Sequence, residues 1–377
     1  MIAHSERLAQ IFTELCEISS PSKKEAAVAA YIKKAFTALG ADIIYEDNSA
    51  TATGSNTGNI IVTFNGDQPE REPIVFACHM DTVVPAENVQ VVRNGDLFTS
   101  AGDTILGGDD KSGIAVLIEL FTLIQEQDLS HGKIELLFTT CEEIGLLGAK
   151  NLEKTALTAR QGIALDSSAV NALITKAPSA NRIVITLHGL AAHAGLAPEQ
   201  GINTLSIAVE AMSTLHIGRH DEETTSNIGL IQGGKAINIV PDTLLLVGEV
   251  RSHNNKSLEH HTQNMCNAFK NAVANYCNPH QDRRPTVDIK VEHEYDSINI
   301  SPSSSFVQSI QDAGKSVEQN IVIAATGGGS DANVLNGYGI QMAILGTGMD
   351  KVHTIEEQIK LSDMVKLTTT LHAIVAN

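Results

Sequence analysis

Three short and mainly apolar runs do most to limit what this chain can fold into. Residues 74–78, 134–138 and 162–165 each end directly before polar residues. Apolar runs of this length, bounded by turn and polar residues, predict strands buried on both faces. A helical stretch is predicted to begin at Ser112, between the first two runs. Strands that alternate with helices indicate an α/β fold, with a central mixed sheet flanked by helices.

The middle of the chain has a different pattern. Its order is β-α-β-β-α-β, which is typical of a ferredoxin-like α+β unit. The α/β pattern then resumes, with a helix at 304–315, strands at 321–324 and 341–345, and a last helix from residue 355. We therefore predict a catalytic domain of residues 1–176 and 296–377, and an inserted domain of residues 177–295. The predicted elements of the insertion are 182–188, 201–215, 226–232, 243–251, 257–276 and 286–292.

Composition excludes several classes of partner. The 377 residues are 42% hydrophobic, which is enough for a buried core and favours about two domains. The formal net charge of −18 repels phosphate backbones and anionic lipids, so neither nucleic acid nor membrane is an expected partner. Residues 1–7 do not resemble a signal peptide, and five cysteines without a C-x-x-C pair fit reduced thiols. We therefore expect a cytoplasmic protein.

Acidic and imidazole side chains follow the predicted strands. Ligands of open α/β sheets gather beyond the carboxyl ends of the strands, so these side chains are expected to converge. Two imidazoles with several carboxylates suit a pair of divalent metals, and such a pair activates water for hydrolysis. The residues of this constellation are His79, Asp109, Glu142, Glu143, Asp166 and His353.

His79 and Asp81 point to the same side of an extended segment, because they are two residues apart. A metal-bound histidine commonly needs a carboxylate or carbonyl on its other ring nitrogen. We predict that Asp81 supplies this group, directly or through the local backbone. Taken alone, the pair also fits an exposed histidine beside a turn-forming aspartate.

Asp109 lies in the glycine-rich run 107–113, which superficially resembles a phosphate-binding loop. That motif requires a glycine directly before the lysine, and here Asp110 occupies the position. Two carboxylates would also repel phosphate, so a nucleotide-binding protein is a poor interpretation. A carboxylate on such a turn can instead bridge two cations, although an acidic start of a helix is the simpler alternative.

Glu142 and Glu143 place two carboxylates side by side after a predicted strand. Like charges this close are costly without cations, and one can bind metal while the other remains a general base. Alone, the pair fits a solvated acidic turn, and His353 alone fits an ordinary surface histidine. The metal site is predicted because several such motifs occur together at strand ends.

The chain resembles the co-catalytic zinc peptidases, a family that includes peptidase T, carboxypeptidase G and the aminoacylases. The resemblance covers essentially the whole length, and it is strongest to the peptidase T (tripeptide aminopeptidase) branch. The motifs that carry it are H-x-D-T-V at 79–83, G-x-D-D-K-x-G at 107–113, C-E-E-I-G at 141–145 and H-A-G at 193–195.

This resemblance implies roles for the residues of the constellation. His79 and Asp166 would hold one zinc, and Glu143 and His353 would hold the other. Asp109 would bridge the two ions, and its peptide bond to Asp110 is expected to be cis. Glu142 would act as the general base toward water activated by the two metals. Cobalt or manganese also suits this set of donors.

The resemblance also implies that the inserted domain is a lid and a dimerisation platform. His193 would reach the active site across a dimer interface, and Asn238 and Arg251 match lid positions near the substrate. Gly328 and Gly329 match a loop beside the substrate backbone. From the residues alone, Asn238 also fits a loop cap, Arg251 a structural ion pair, and the glycines a tight left-handed turn.

We therefore expect a homodimeric metal-dependent exopeptidase that hydrolyses small peptides, with tripeptides cleaved at the N-terminal residue as the first hypothesis. An aminoacylase, carboxypeptidase or other amidohydrolase on the same scaffold is the alternative enzyme. An aminopeptidase must recognise a free amine, whereas a carboxypeptidase or acylase needs a cation. A metal-holding binding protein without turnover is the alternative from another class, and a free general base at Glu142 argues against it.

Overall fold

The computed structural model describes residues 3–280 and 282–376, which divide into two compact units. The first unit contains residues 3–176, 298–326 and 330–376, and the second contains 177–297, apart from residue 281, with 327–329. The sequence pattern predicts an inserted domain of residues 177–295, and the second unit extends two residues further and also includes 327–329. Across residues 3–280 and 282–376, none of the helices combines the length and the apolar composition that a bilayer span requires.

The first unit is built on a mixed sheet with the order β1-β2-β6-β3-β7-β16-β8-β14, in which β15 pairs with β8. The neighbours β6, β3, β7 and β16 run parallel, while β1 and β2 form an antiparallel edge. The strands are β1 (Ile43–Glu46), β2 (Ile60–Phe64), β3 (Ile74–His79), β6 (Ile134–Thr139), β7 (Gln161–Ala164), β8 (Ala172–Ala177), β14 (Ile298–Asn299), β15 (Val322–Ala325) and β16 (Gln341–Leu345).

Helices flank this sheet. Phe36 packs edge-on against Phe64 of β2 and Phe121, joining helices and sheet in one apolar core. The helices are α1 (Ser5–Glu17), α2 (Ala26–Ala38), α3 (Ala50–Thr53), α4 (Gly108–Glu126), α5 (Leu147–Lys150), α8 (Ser305–Ser316), α9 (Asp331–Gly337) and α10 (Leu361–Ala376). The mixed α/β architecture predicted from the sequence is confirmed.

A small second sheet in this unit was not predicted. Its order is β17-β5-β4, formed by β4 (Val91–Asn94), β5 (Leu97–Ser100) and β17 (Gln358–Lys360). Pairing of β17 with β5 keeps residues 358–360 extended, so α10 begins at Leu361 and not at residue 355 as the sequence had predicted.

The second unit is an antiparallel sheet with helices packed on it. The sheet order is β10-β11-β12-β9-β13, and the chain order of the longer elements is β-α-β-β-α-β, as predicted. Its core includes Ile183, Leu246 and Phe269, all fully buried. The elements are β9 (Ser179–His188), α6 (Thr204–Ser213), β10 (Gly218–Arg219), β11 (Thr224–Gly233), β12 (Thr243–Ser252), α7 (Asn255–Asn275) and β13 (Thr286–Tyr295).

Candidate active site

The carboxyl ends of the parallel strands of the first unit bring the predicted residues together. His79 is the last residue of β3, Glu142 and Glu143 follow β6, and Asp166 follows β7. His353 lies in the loop after β16. Asp109 enters from the start of α4, where its backbone is not helical and its peptide bond to Asp110 is cis, as the resemblance implied.

Asp109 lies between the two imidazoles. Its Oδ1 is 3.0 Å from Nε2 of His79, and its Oδ2 is 3.4 Å from Nε2 of His353. The His353 nitrogen is also 3.0 Å from Oε2 of Glu143. Each oxygen of Asp109 therefore faces a different histidine, which is the arrangement that a bridging carboxylate requires.

Glu142 and Asp166 belong to the same electrostatic cluster. Burial raises the pKa of Asp166 to about 6, and the nearby charge of Asp109 adds to the effect. Burial also raises the pKa of Glu142 well above its usual range; His79 opposes this rise, and Asp166 and Asp331 add to it. Both carboxyl groups thus interact with His79, one of the two histidines that face Asp109.

The pKa values of the two imidazoles are raised as well, which favours their charged form. A hydrogen bond to Asp109 is the main cause that raises the pKa of His353 to about 9. Burial opposes protonation of His79, but hydrogen bonds to Asp109 and Asp81 raise its pKa well above the usual value. For Glu143, burial is the largest cause of a pKa raised to about 7. The site holds more acid groups than its two imidazoles neutralise.

Such a cluster fits divalent cations. Buried carboxylates that repel one another need compensating positive charge, and a bound cation is commonly the largest local charge in a site. Donor atoms of His79, Asp109 and Glu143 lie within 4.8 Å of one another and can hold a metal ion. A mixed set of imidazole nitrogens and carboxylate oxygens suits zinc, cobalt or manganese.

Asp81 contributes in two ways. Its backbone carbonyl lies 2.8 Å from Nδ1 of His79, whereas its carboxylate is 3.7 Å away, so the predicted route through the local backbone is the one present. The carboxylate accepts hydrogen bonds from the backbone N–H groups of Glu142 and Glu143, at 2.8 and 3.3 Å. Asp81 thereby orients a histidine on β3 and the acidic turn after β6.

Glu357 is a site residue that the sequence analysis missed. It is buried, and its two carboxylate oxygens accept hydrogen bonds from the backbone N–H groups of Gly107, at 2.7 Å, and Asp109, at 3.0 Å. Because Glu357 lies 250 residues from Gly107 and its local sequence is unremarkable, no short-range signal identifies it. It positions the loop that carries Asp109.

Replacement of Glu357 by glutamine is expected to lower metal affinity by about 10- to 100-fold, the usual loss when a group that orients a ligand is removed. The amide presents an NH₂ group to one of the two backbone N–H donors, so the Asp109 loop loses one hydrogen bond. Metal titration measures the effect. Glu356→Gln is the matched control, since the Glu356 side chain is 70% exposed and pairs with Lys351. Equal metal affinity in both variants would refute the positioning role.

Asp331 is a second residue given no role by the sequence analysis. It begins α9, is buried, and accepts a hydrogen bond from Oγ1 of Thr139 at the end of β6. Burial raises its pKa to about 7 against the effect of that hydrogen bond. Its charge also acts on Glu142, so it contributes to the environment of the proposed base.

The predicted substrate-binding residues all lie in the second unit. His193 forms a β-bridge with Ile239, and the backbone of Asn238 accepts a hydrogen bond from Ala194 at 2.9 Å. The loops of His193 and Asn238 are therefore neighbours. The guanidinium of Arg251 pairs with Glu249, at 3.0 Å between Nη2 and Oε2, so a structural ion pair is present there.

Steric contact explains why position 329, in the glycine run 327–329, is a glycine. A Cβ added at this position would lie 2.2 Å from the Tyr295 ring, so a side chain cannot be accommodated without movement. Neither Gly327 nor Gly329 has a positive φ, and the left-handed turn considered for the run is not adopted at these two glycines. Gly328 lies between them.

Comparison with known proteins agrees with this fold. The Peptidase family M20/M25/M40 matches residues 75–377. The Bacillus subtilis "Uncharacterized protein YqjE" is 37% identical over 376 residues, covering 99% of each chain. Peptidase T of Enterococcus faecalis is 24% identical, covering 94% of this chain and 92% of its own.

Two solved structures are also similar. Aminopeptidase PepT of Bacillus cereus is 34% identical with a TM-score of 0.89, covering 99% of this chain and 98% of its own. A tripeptidase of Staphylococcus aureus is 33% identical with a TM-score of 0.93, covering 100% of this chain and 99% of its own. An α/β peptidase with an inserted α+β unit is the class that these observations define. The chain belongs to the Peptidase family M20/M25/M40, and the predicted resemblance to peptidase T is confirmed.

Proposed function

We propose that the protein is a two-metal exopeptidase that releases the N-terminal residue of tripeptides. The observation that carries the proposal is the position of Asp109, with one carboxylate oxygen toward each of His79 and His353. The similarity to a PepT aminopeptidase and to a tripeptidase, each more than 30% identical, supports the choice of substrate.

The proposed ligands divide between two ions. His79 and Asp166 would hold one ion, Glu143 and His353 would hold the other, and Asp109 would contribute to both. When bound, the ions supply Lewis acidity toward the peptide carbonyl and lower the pKa of water. Zinc is the proposed metal, and the same donors suit cobalt or manganese.

Glu142 is the proposed general base and acid. Its carboxylate accepts a proton from the attacking water and later delivers that proton to the leaving amine. Asp81 fixes the start of the turn through the backbone N–H of Glu142, so the base has a defined position. Nearby Glu143 serves as a ligand, so the two adjacent acids have different roles.

The second unit supplies the proposed substrate contacts. His193, Asn238 and Arg251 bind the substrate as lid residues, and Gly328 and Gly329 lie along its backbone. We also propose that this unit forms a homodimer and that the protein works in the cytoplasm. The exposed side chains Leu230 and Ile231, 45% and 54% exposed on β11, offer apolar surface for the dimer.

A substrate panel tests the proposal. The protein, reconstituted with zinc, is incubated with a free tripeptide, the same tripeptide N-acetylated, a dipeptide and an N-acetyl amino acid. We expect release of the N-terminal residue from the free tripeptide, with activity lost after chelation and restored by zinc. Faster cleavage of the N-acetyl amino acid would favour the aminoacylase alternative, and release of the C-terminal residue would favour a carboxypeptidase. Either result would refute tripeptide aminopeptidase activity.

A further inference from the structure

The turn that carries the proposed base, residues 140–143, is held by side chains from other segments. All four of its backbone N–H groups donate to side-chain oxygens. The first two donate to Oδ1 of Asn59 and Oε1 of Glu25, at 3.1 and 3.0 Å. The other two donate to the carboxylate of Asp81. The shape of this turn therefore depends on three distant residues, and Glu25 is an acid among them without a role so far.

Glu25 is fully buried, and its side chain does not cap the helix α2 that follows it. Its Oε1 accepts the backbone N–H of Cys141 and lies 3.3 Å from Sγ of the same residue. Its Oε2 accepts a hydrogen bond from the hydroxyl of Ser55 at 2.5 Å. Burial of a carboxylate is costly unless its oxygens are hydrogen-bonded. Contacts on both oxygens fix the side chain, so Oε1 has a defined position beside the turn.

Cys141 has a backbone conformation that needs support. Its φ is 54°, in the left-handed region that residues other than glycine rarely adopt. Its N–H is bound by Glu25, and its carbonyl oxygen accepts the N–H of Leu147 at 3.0 Å. Because Cys141 directly precedes Glu142, its conformation sets the direction in which the chain leaves β6 and enters the proposed base.

The segment that contains Glu25 also contacts the loop after β3. The Ser22 hydroxyl donates to the Asp81 carboxylate at 2.6 Å, and the backbone N–H of Thr82 donates to the carbonyl oxygen of Ser20 at 3.0 Å. Residues 20–25 thus bind both to the loop that follows β3 and to the turn that follows β6. Their contacts are directed at the two strand ends that carry site residues.

We propose that Glu25 is a positioning residue for the proposed reaction. It holds Cys141 in the left-handed conformation and thereby places the Glu142 carboxylate for proton transfer. The inference rests on the proposed role of Glu142 as the general base. Proton transfer needs the base within about 2.6–3.2 Å of its partner, and a displacement of about 1 Å can cost about 100-fold in rate. Glu25 acts only through the backbone of Cys141.

Steady-state kinetics of Glu25→Ala and Glu25→Gln, both reconstituted with zinc, test the positioning role. We expect kcat of the alanine variant to fall by about 10- to 100-fold, with KM and zinc content within about twofold of wild type. Glutamine should restore most of the activity, because its amide oxygen can accept the N–H of Cys141 while its NH₂ group donates to Ser55. The matched control is Glu17→Ala, which removes an exposed acid close to the same segment.

A double-variant cycle separates positioning from general support of the fold. In a Glu142→Gln background, Glu25→Ala should lower kcat by less than about twofold, because an absent base cannot be misplaced. A residue that only stabilised the fold would lower kcat by the same factor in both backgrounds. That result, or a glutamine variant as impaired as the alanine variant, would overturn the inference.

Hydrogen exchange of stripped, folded protein gives a readout that does not depend on activity. Peptides that cover residues 139–146 should exchange faster in Glu25→Ala than in wild type, in Glu25→Gln or in the Glu17→Ala control. Equal exchange in all four proteins would show that Glu25 does not hold the turn. Full activity of Glu142→Gln would instead refute the proposed base, so failure of the proposed function and failure of this inference give different results.

Discussion

Replacement of Glu142 by glutamine should lower kcat for tripeptide hydrolysis by about 10²- to 10⁴-fold, the usual contribution of a general acid–base residue. Glutamine has nearly the same shape but cannot take up a proton from water. The proposed ligands His79, Asp109 and His353 are unchanged in this variant, so metal content should stay close to that of wild type. Steady-state kinetics and metal analysis of the same preparation measure both quantities.

The combination of the two measurements separates a catalytic role from a structural one. A residue that only supported the fold would lose metal and activity together when replaced. The matched control is Glu153→Gln, which removes an exposed carboxylate that pairs with Tyr45 and Thr155. Activity of Glu142→Gln within about twofold of this control would remove Glu142 from the proposed mechanism.

The position of Glu142 at the site could be predicted from the sequence. The strand runs at 74–78, 134–138 and 162–165 are apolar because both faces of the sheet are covered, and the structure has β3, β6 and β7 at these places. Parallel strands end at one edge, so the polar residues that follow them meet there. Side chains on neighbouring parallel strands could thus be brought together without any long-range information.

Other parts of the site depend on contacts between distant segments. The orientation of His79 comes from a carbonyl group, and the acidic turn is fixed by Asp81 from another strand end. Glu357 reaches the Asp109 loop from a segment that also forms β17, a strand missed by the sequence analysis. These contacts join side chains to backbone N–H groups, and backbone groups have no sequence signature.

The sequence also predicts a helix that ends near Gly40, and this helix is present as α2 but begins later than its capping pattern indicates. Ser22 and Glu25 form the sequence pattern of a capping box, which predicts a helix starting near residue 22. In the structure α2 begins at Ala26, and the Ser22 hydroxyl donates to the Asp81 carboxylate at 2.6 Å. Glu25 is buried and accepts a hydrogen bond from the backbone N–H of Cys141 at 3.0 Å. Tertiary contacts with the acidic turn have replaced the local cap.

The second large effect is expected for Asp109→Asn. Asparagine keeps the shape of the side chain but has one oxygen and one NH₂ group, so it cannot present an anionic oxygen to each of two ions. Groups that only orient ligands change metal affinity by about 10- to 100-fold, and a shared ligand should exceed this. We expect loss of at least one metal equivalent and a fall in kcat/KM of more than about 100-fold, measured by metal analysis and kinetics.

Thermal unfolding separates loss of metal from loss of fold. A ligand that binds only the native state raises stability by about 2.7 kcal/mol at a concentration 100 times its Kd. Zinc should therefore raise the Tm of stripped wild-type protein and of the control Asp103→Asn, an exposed acid in the same loop region. It should raise the Tm of Asp109→Asn much less, although the stripped variant remains folded. Because Asp109 faces both histidines, a variant that kept full zinc stabilisation and activity would show that no bridging carboxylate is needed, and the two-metal assignment would fail.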